Sequence, residues 1–190
     1  SGKVKFLWVS TVDLTGDIEI AYCRLRHFRT VINGLTQLRA ALMRLRNKIT
    51  ICADPATVWR VFDDPENTRR WQPSLTSQTH VAGPPGEVGA VYELVYDHNG
   101  RELRTVTTLT EKREFELMAA TIVSESSFAK VANRFEPIAN NQTRWVLDIE
   151  YRFKGLYKIV AIFVRRSMRA RADDEMRNFK QLVEYGSAEG

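Results

Sequence analysis

From Ser74 to Tyr151 apolar and polar positions alternate in short runs. Tyr92, Leu94 and Tyr96 fall on one side of the run from Ala90 to Tyr96. A threonine-rich run from Glu102 to Glu111 follows, then Phe115 to Ser124, Phe128 to Phe135 and Trp145 to Tyr151. A period of two predicts strands. The breaks between runs carry turn chemistry: Gly83-Pro84-Pro85-Gly86, Asn99-Gly100 and Ala139-Asn140-Asn141. Asn-Gly in particular signals a tight hairpin. With a strand at Val81 and an earlier one at Ile49 and Ile51 the count reaches seven, hairpin-linked and therefore antiparallel. At Gly155 the period changes. Val164, Met168, Ala172, Met176, Phe179 and Val183 recur three or four apart, which predicts one helix to about Tyr185. Roughly 30 residues would span about 45 Å, enough to cross a whole sheet.

The segment Lys48 to Pro73 is the most informative stretch. Ile49 and Ile51 alternate into Asp54-Pro55, an N-cap followed by proline at the first helical position. Val58, Trp59, Val61 and Phe62 give a short helix one apolar face. Asp63-Asp64-Pro65 stops it, because the residue before proline is pushed out of the α region. A second short turn, Glu66 to Arg70, delivers Trp71. This unit resembles the opening of the START-like, or SRPBCC, superfamily, which includes the polyketide cyclase/dehydrase and lipid-transport proteins and the birch-pollen-allergen fold. The carrying residues are Ile49, Ile51, Asp54-Pro55-Ala56, Val58-Trp59, Asp64-Pro65-Glu66-Asn67 and Trp71. Phe135-Glu136-Pro137, the strand from Thr143 to Arg152 and the long helix after Gly155 continue the resemblance, which covers roughly Leu45 to Glu184.

The resemblance implies an α+β helix-grip fold: a curved seven-stranded antiparallel sheet, two short helices, and a long C-terminal helix across the concave face. The expected organisation is an N-terminal extension at 1–44, the domain at 45–186 and a tail at 187–190. It also implies a cavity between sheet and helix that takes apolar or aromatic small molecules. Alternation then selects the lining: Tyr92, Leu94 and Tyr96; Val131 and Asn133 on the side of Phe135; Trp145, Leu147, Ile149 and Tyr151. Ile159, Ile162 and Phe163 are candidates on the helix, and Trp71 at the cavity mouth. Each such side chain would serve a plain core equally well, and Trp59 reads as a core anchor. Asn133 is the most telling, since a buried amide needs partners.

Charge narrows the partners. The chain of 190 residues has a net charge of +5. Of 28 Lys and Arg and 23 Asp and Glu, residues 1–47 hold 8 and 3, which leaves 20 of each from Lys48 onward. The domain is formally neutral, so it has no global field for nucleic acid. Residues 1–42 stand apart: Met43 precedes Arg44-Leu45-Arg46-Asn47-Lys48 and no methionine opens the chain. They read either as an appendage or as an amphipathic segment, with Val31, Leu35, Leu38, Leu42 and Leu45 at helical intervals. Cys23 and Cys52 have no metal-like spacing and suggest a reducing, cytoplasmic setting. Ile159 to Val164, the longest apolar run, is too short to cross a bilayer.

Catalytic patterns are weak. Gly83, Gly86 and Gly89 lack the Lys-Ser/Thr of a phosphate loop. His27, His80 and His98 are scattered, so no metal site is expected. Asp148 and Glu150 alternate with the apolar side of their strand, and Ser124, Ser126 and Ser127 lack a nucleophile elbow. Arg165, Arg166, Arg169 and Arg171 can pair along the helix (Arg169 with Asp173, Arg171 with Glu175), or touch an anionic membrane weakly during loading. The expected function is binding, carrying or sequestering a hydrophobic small molecule without a cofactor. Two alternatives stay open: a cyclase or aromatase using Tyr92, Tyr96 or Asn133 in the same cavity, and a protein-interaction module.

Overall fold

A computed structural model of the chain describes residues 42–98, 100–154 and 157–186, with the backbone alone for 158–163. Most of the expected extension, with Val31, Leu35 and Leu38, lies outside the described residues, as do Asn99 and the tail at 187–190. The elements in chain order begin with β1 (Leu42–Ile51), α1 (Pro55–Phe62), a 3-10 turn (Pro65–Asn67) and α2 (Thr68–Trp71). Then come β2 (Leu75–Ala82), β3 (Val91–His98), β4 (Arg101–Arg113), β5 (Leu117–Val123), β6 (Ser127–Ile138), β7 (Gln142–Phe153) and α3 (Tyr157–Tyr185). One seven-stranded sheet has the order β1-β7-β6-β5-β4-β3-β2, every pair antiparallel. The two edges, β1 and β2, are consecutive in sequence, and α1 and α2 carry the chain from one edge to the other.

Local chemistry sets the helix ends. Asp54 caps α1: its carboxylate accepts from Thr57 N at 2.9 Å and from the Thr57 hydroxyl at 2.7 Å, with Pro55 at the first position. Asp64 caps the next turn by accepting from Glu66 N at 3.0 Å. At the β6–β7 turn, Asn140 and Asn141 both take positive φ, a conformation asparagine tolerates better than most residues.

Two boundaries differ from the sequence pattern. β1 begins at Leu42, well before Ile49, so Leu42 and Leu45 are strand residues rather than part of a helix. Leu45 faces the core opposite Ile149, while Arg44 and Arg46 reach Glu150 and Asp148 on the outer face. Phe115 belongs to the β4–β5 turn at φ 65 rather than to β5, and its ring meets the edge of Trp59.

Helix α3 buries the expected stripe, Val164, Met168, Ala172, Met176, Phe179 and Val183. Side chains fix its course along β1. Asn47 Nδ2 donates to Asp173 Oδ1 at 2.6 Å and to Arg169 O at 3.2 Å. Lys180 Nζ donates to Thr50 O at 2.7 Å, and Glu184 Oε1 accepts from Cys52 N at 2.6 Å. Helix and strand therefore run in the same direction. The i+4 pairing expected along the helix is redirected: Asp173 turns to Asn47 on β1, and Glu175 accepts from Gln72 Nε2 at 2.9 Å. A partner on another element fixes the tertiary arrangement, which an exposed helical pair cannot do.

Candidate ligand site between sheet and helix

The inner face of the sheet divides into two regions. Under the C-terminal half of α3 lies an aromatic cluster. Phe62 packs on Phe135 with ring centroids 4.9 Å apart, on Trp145 at 5.6 Å, on Phe179 at 5.7 Å and on Trp71 at 6.0 Å. Trp71 and Trp145 meet edge to face at 5.9 Å. Such pairs add about 0.5–1.5 kcal/mol each beyond burial. Asn133 faces inward opposite Leu147. Its Oδ1 accepts from Trp145 Nε1 at 3.0 Å and its Nδ2 reaches Met118 O at 3.5 Å. Trp71, Asn133 and Trp145, all expected to touch a ligand, are thus joined in one packed group.

A buried ion pair closes the side of this region. Lys112 Nζ on β4 lies 2.8 Å from Asp63 Oδ1 at the end of α1, donates to Gly86 O at 3.2 Å, and sits over the Trp59 ring at 5.8 Å. Gly86 N donates to the Tyr92 hydroxyl at 2.7 Å, so the β2–β3 loop is tied to the inner face. Burial holds the Tyr92 phenol above its ordinary pKa, and the loop amide only partly opposes that. The glycines serve the loop itself: a Cβ on Gly83 would stand 2.3 Å from Gly89 O.

The second region lies toward the N-terminal half of α3. One cross-strand row runs Met43, Tyr151, Ala129, Ile122, Thr107 and Tyr92. Neighbouring inner positions are Leu94, Tyr96, Leu103, Thr105, Leu109, Val131, Leu147 and Ile149. Among the described residues the α3 backbone approaches β1 and β7 closely, and β3, β4 and β5 stand further from it. Small residues, Ala120 and Ala129, occupy the middle of this floor. Thr105 and Thr107 are 1% and 0% exposed, and neither hydroxyl has a hydrogen-bond partner. A buried hydroxyl left unpaired costs about 1–3 kcal/mol.

The roof supplies a further polar group. Gln72, fully buried where α2 ends, gives its amide NH2 to Glu175 but leaves Oε1 unpartnered. Arg171, one turn before Glu175, has a buried NH1 without a partner. The Tyr151 phenol is pushed above its ordinary range, first by burial and then by the Glu175 carboxylate. Glu175 therefore exerts its field on the same floor that carries Thr107.

Every described candidate from Trp71 to Tyr151 is at most 4% exposed. These side chains are screened from solvent, so a guest among them would lie in the interior. Ile159, Ile162 and Phe163 lie outside the described side chains. Thr105, Thr107, Gln72 and Arg171 were missed by sequence reasoning. The visible signal was two threonines at i and i+2 whose neighbours, once register is known, are Leu94 and Ile122.

A sheet of this order gripping a long C-terminal helix, with an aromatic and aliphatic layer between them, defines a helix-grip protein of the SRPBCC superfamily. The chain belongs to the polyketide cyclase / dehydrase and lipid transport family, whose sequence profile matches residues 43–184. Solved structures agree on the fold. TTHA0849 from Thermus thermophilus superposes with a TM-score of 0.64 at 16% identity, covering 78% of this chain and 100% of its own. Ara h 8.0201 gives 0.61 at 16% identity over 75% of this chain and 97% of its own. The Zhui aromatase/cyclase from Streptomyces sp. R1128 gives 0.61 at 12% identity over 76% and 98%. No curated protein matches the chain. Among the described residues no helix is long and apolar enough to cross a membrane, and no three His, Cys, Asp or Glu are grouped to hold a metal ion.

Proposed function

We propose that this chain binds a predominantly apolar small molecule, to carry or sequester it, against the inner face of β3 to β7 beneath the N-terminal half of α3. Leu94, Tyr96, Val131, Leu147, Ile149 and Tyr151 would give the apolar contact, with Thr105 and Thr107 as polar anchors. Trp71, Asn133 and Trp145 would form the rigid end wall. The observation that carries this reading is the pair of buried, unpartnered hydroxyls of Thr105 and Thr107 on an otherwise apolar floor. A guest bearing an oxygen would give those hydroxyls the partner that the fold itself does not. Binding is favoured over cyclisation because the Asn133 amide, suited to polarising a carbonyl, is already engaged by Trp145 and Met118.

The test is native mass spectrometry of protein purified from its own host, followed by organic extraction. A co-purifying apolar molecule in stoichiometric amount is the expected result. Protein that emerges bare, and takes up no member of a panel of lipids and aromatics, would overturn the reading.

A further inference from the structure

Strand β2 adds a third unpartnered group to the floor that carries Thr105 and Thr107, and it narrows the chemistry of the guest; this rests on the binding reading above. Gln78 Nε2 is screened from solvent and has no hydrogen-bond acceptor. Gln78 pairs with Leu94, and Leu94 pairs with Thr105, so the three share one cross-strand row. Leu94 is fully buried on the inner face, and directly opposed residues point to the same side of a sheet, so Gln78 faces inward as well. Two strand spacings put the Cα atoms of Gln78 and Thr105 about 10 Å apart. The next row holds His80, Tyr92 and Thr107. There His80 Nε2 lies 2.9 Å from Gly83 O, and the Tyr92 hydroxyl accepts from Gly86 N at 2.7 Å. Among the described residues of these two rows on β2, β3 and β4, the fold thus leaves Gln78, Thr105 and Thr107 unpartnered.

These three groups have one capability in common. A threonine hydroxyl donates or accepts, whereas an amide NH2 only donates, so an acceptor oxygen on the guest suits all of them. Charge is disfavoured at that oxygen. The six positions include no Lys or Arg, and Lys112, which reaches the β2–β3 loop at Gly86 O, is already paired with Asp63. A carboxylate among them would be buried without a counter-ion. We propose that Gln78, Thr105 and Thr107 form a donor subsite on the β2–β4 side of the interior for uncharged acceptor oxygens of the ketone, ester or amide class, and that Gln78 sets the preference for an acceptor. A guest without one leaves the Gln78 amide buried and unpaired, which is the condition for strong discrimination by hydrogen bonding.

Three probes of closely similar shape test the subsite: 2-acetylnaphthalene, its hydrocarbon counterpart 2-isopropenylnaphthalene, and 2-naphthoate, each titrated by calorimetry against the full chain. The ketone should bind at least about 10-fold tighter than the hydrocarbon, with 2-naphthoate weakest. Gln78→Leu should bring ketone and hydrocarbon within about twofold of each other without weakening the hydrocarbon. Gln78 is half-buried on an edge strand, which favours folding of that variant, and Gln78→Met is the second variant, with the same convergence expected. If the hydrocarbon or 2-naphthoate binds the wild-type chain as tightly as the ketone, the donor subsite is wrong while the interior binding site stands. A ketone preference that survives both substitutions would overturn the role of Gln78. If no probe binds and no molecule co-purifies, the binding reading itself fails.

Discussion

Trp145 donates its indole N–H to Asn133 Oδ1 at 3.0 Å across the β6–β7 pair, inside the aromatic cluster. The amide is thereby a structural part of the core rather than a free recognition group. Asn133→Ala removes that acceptor and strands a buried indole N–H. Stability should fall by about 2–3 kcal/mol, measured by urea unfolding. A loss below about 0.5 kcal/mol would show that the bond contributes nothing.

Thr105→Val and Thr107→Val keep shape and remove the unpaired hydroxyls. Each should leave stability unchanged or raise it by up to about 1 kcal/mol, since a buried hydroxyl without a partner is a cost to the fold. Affinity for an oxygenated apolar probe should fall about 5- to 20-fold at the same time. Loss of stability together with unchanged binding would contradict the anchoring role.

Lys112 and Asp63 form an ion pair with side chains only 7% and 15% exposed. Lys112→Met removes the cation that faces the buried Asp63 carboxylate, and should cost about 3 kcal/mol. Adding Asp63→Asn should recover part of that loss, giving a coupling of at least about 1 kcal/mol in the double-mutant cycle. Purely additive losses would rule out the pair as the tie between α1 and the β2–β3 loop.

Asp148 on the outer face is held below the ordinary carboxylate range, chiefly by its hydrogen bond from Arg46 and then by the charges of Arg46 and Arg134. A depressed native pKa gives stability that is fully present above the pKa of the unfolded chain and is lost as pH falls through the native value. Asp148→Asn should therefore lower stability at pH 7, by no more than about 1 kcal/mol because Arg46 is largely exposed. The gap between variant and wild type should close as pH drops below about 4. A gap that is constant from pH 7 to pH 3 would assign the loss to packing.

The sheet was legible in sequence because its inner face is apolar and its outer face charged, so alternation in β3, β6 and β7 and the stripe on α3 each point to one side. The start of β1 was hidden. Met43, Leu45 and Asn47 face inward, but the intervening arginines read as a charged segment until Glu150 and Asp148 are placed opposite them. Phe115 misled for the converse reason: an aromatic residue suits a strand, and nothing local announces its positive φ. The inward turn of Asn133 follows from its spacing to Phe135, but its bond to Trp145 does not, since the partner comes from the neighbouring strand. Thr105 and Thr107 were least legible. A threonine is at home on either face of a strand, and only the apolar neighbours at their register positions make their hydroxyls exceptional.

The pairing of β1 with β7 has a consequence for biosynthesis. Arg44 and Glu150 are 106 residues apart in sequence yet adjacent in the sheet. While the ribosome extends the middle hairpins, β1 has no neighbour to receive its backbone hydrogen bonds, and α3, which docks along it, is made last. The nascent chain must therefore leave the inward side of β1, with Met43, Leu45 and Ile51, uncovered until β7 is made, a hazard of high contact order and a natural point for chaperone capture.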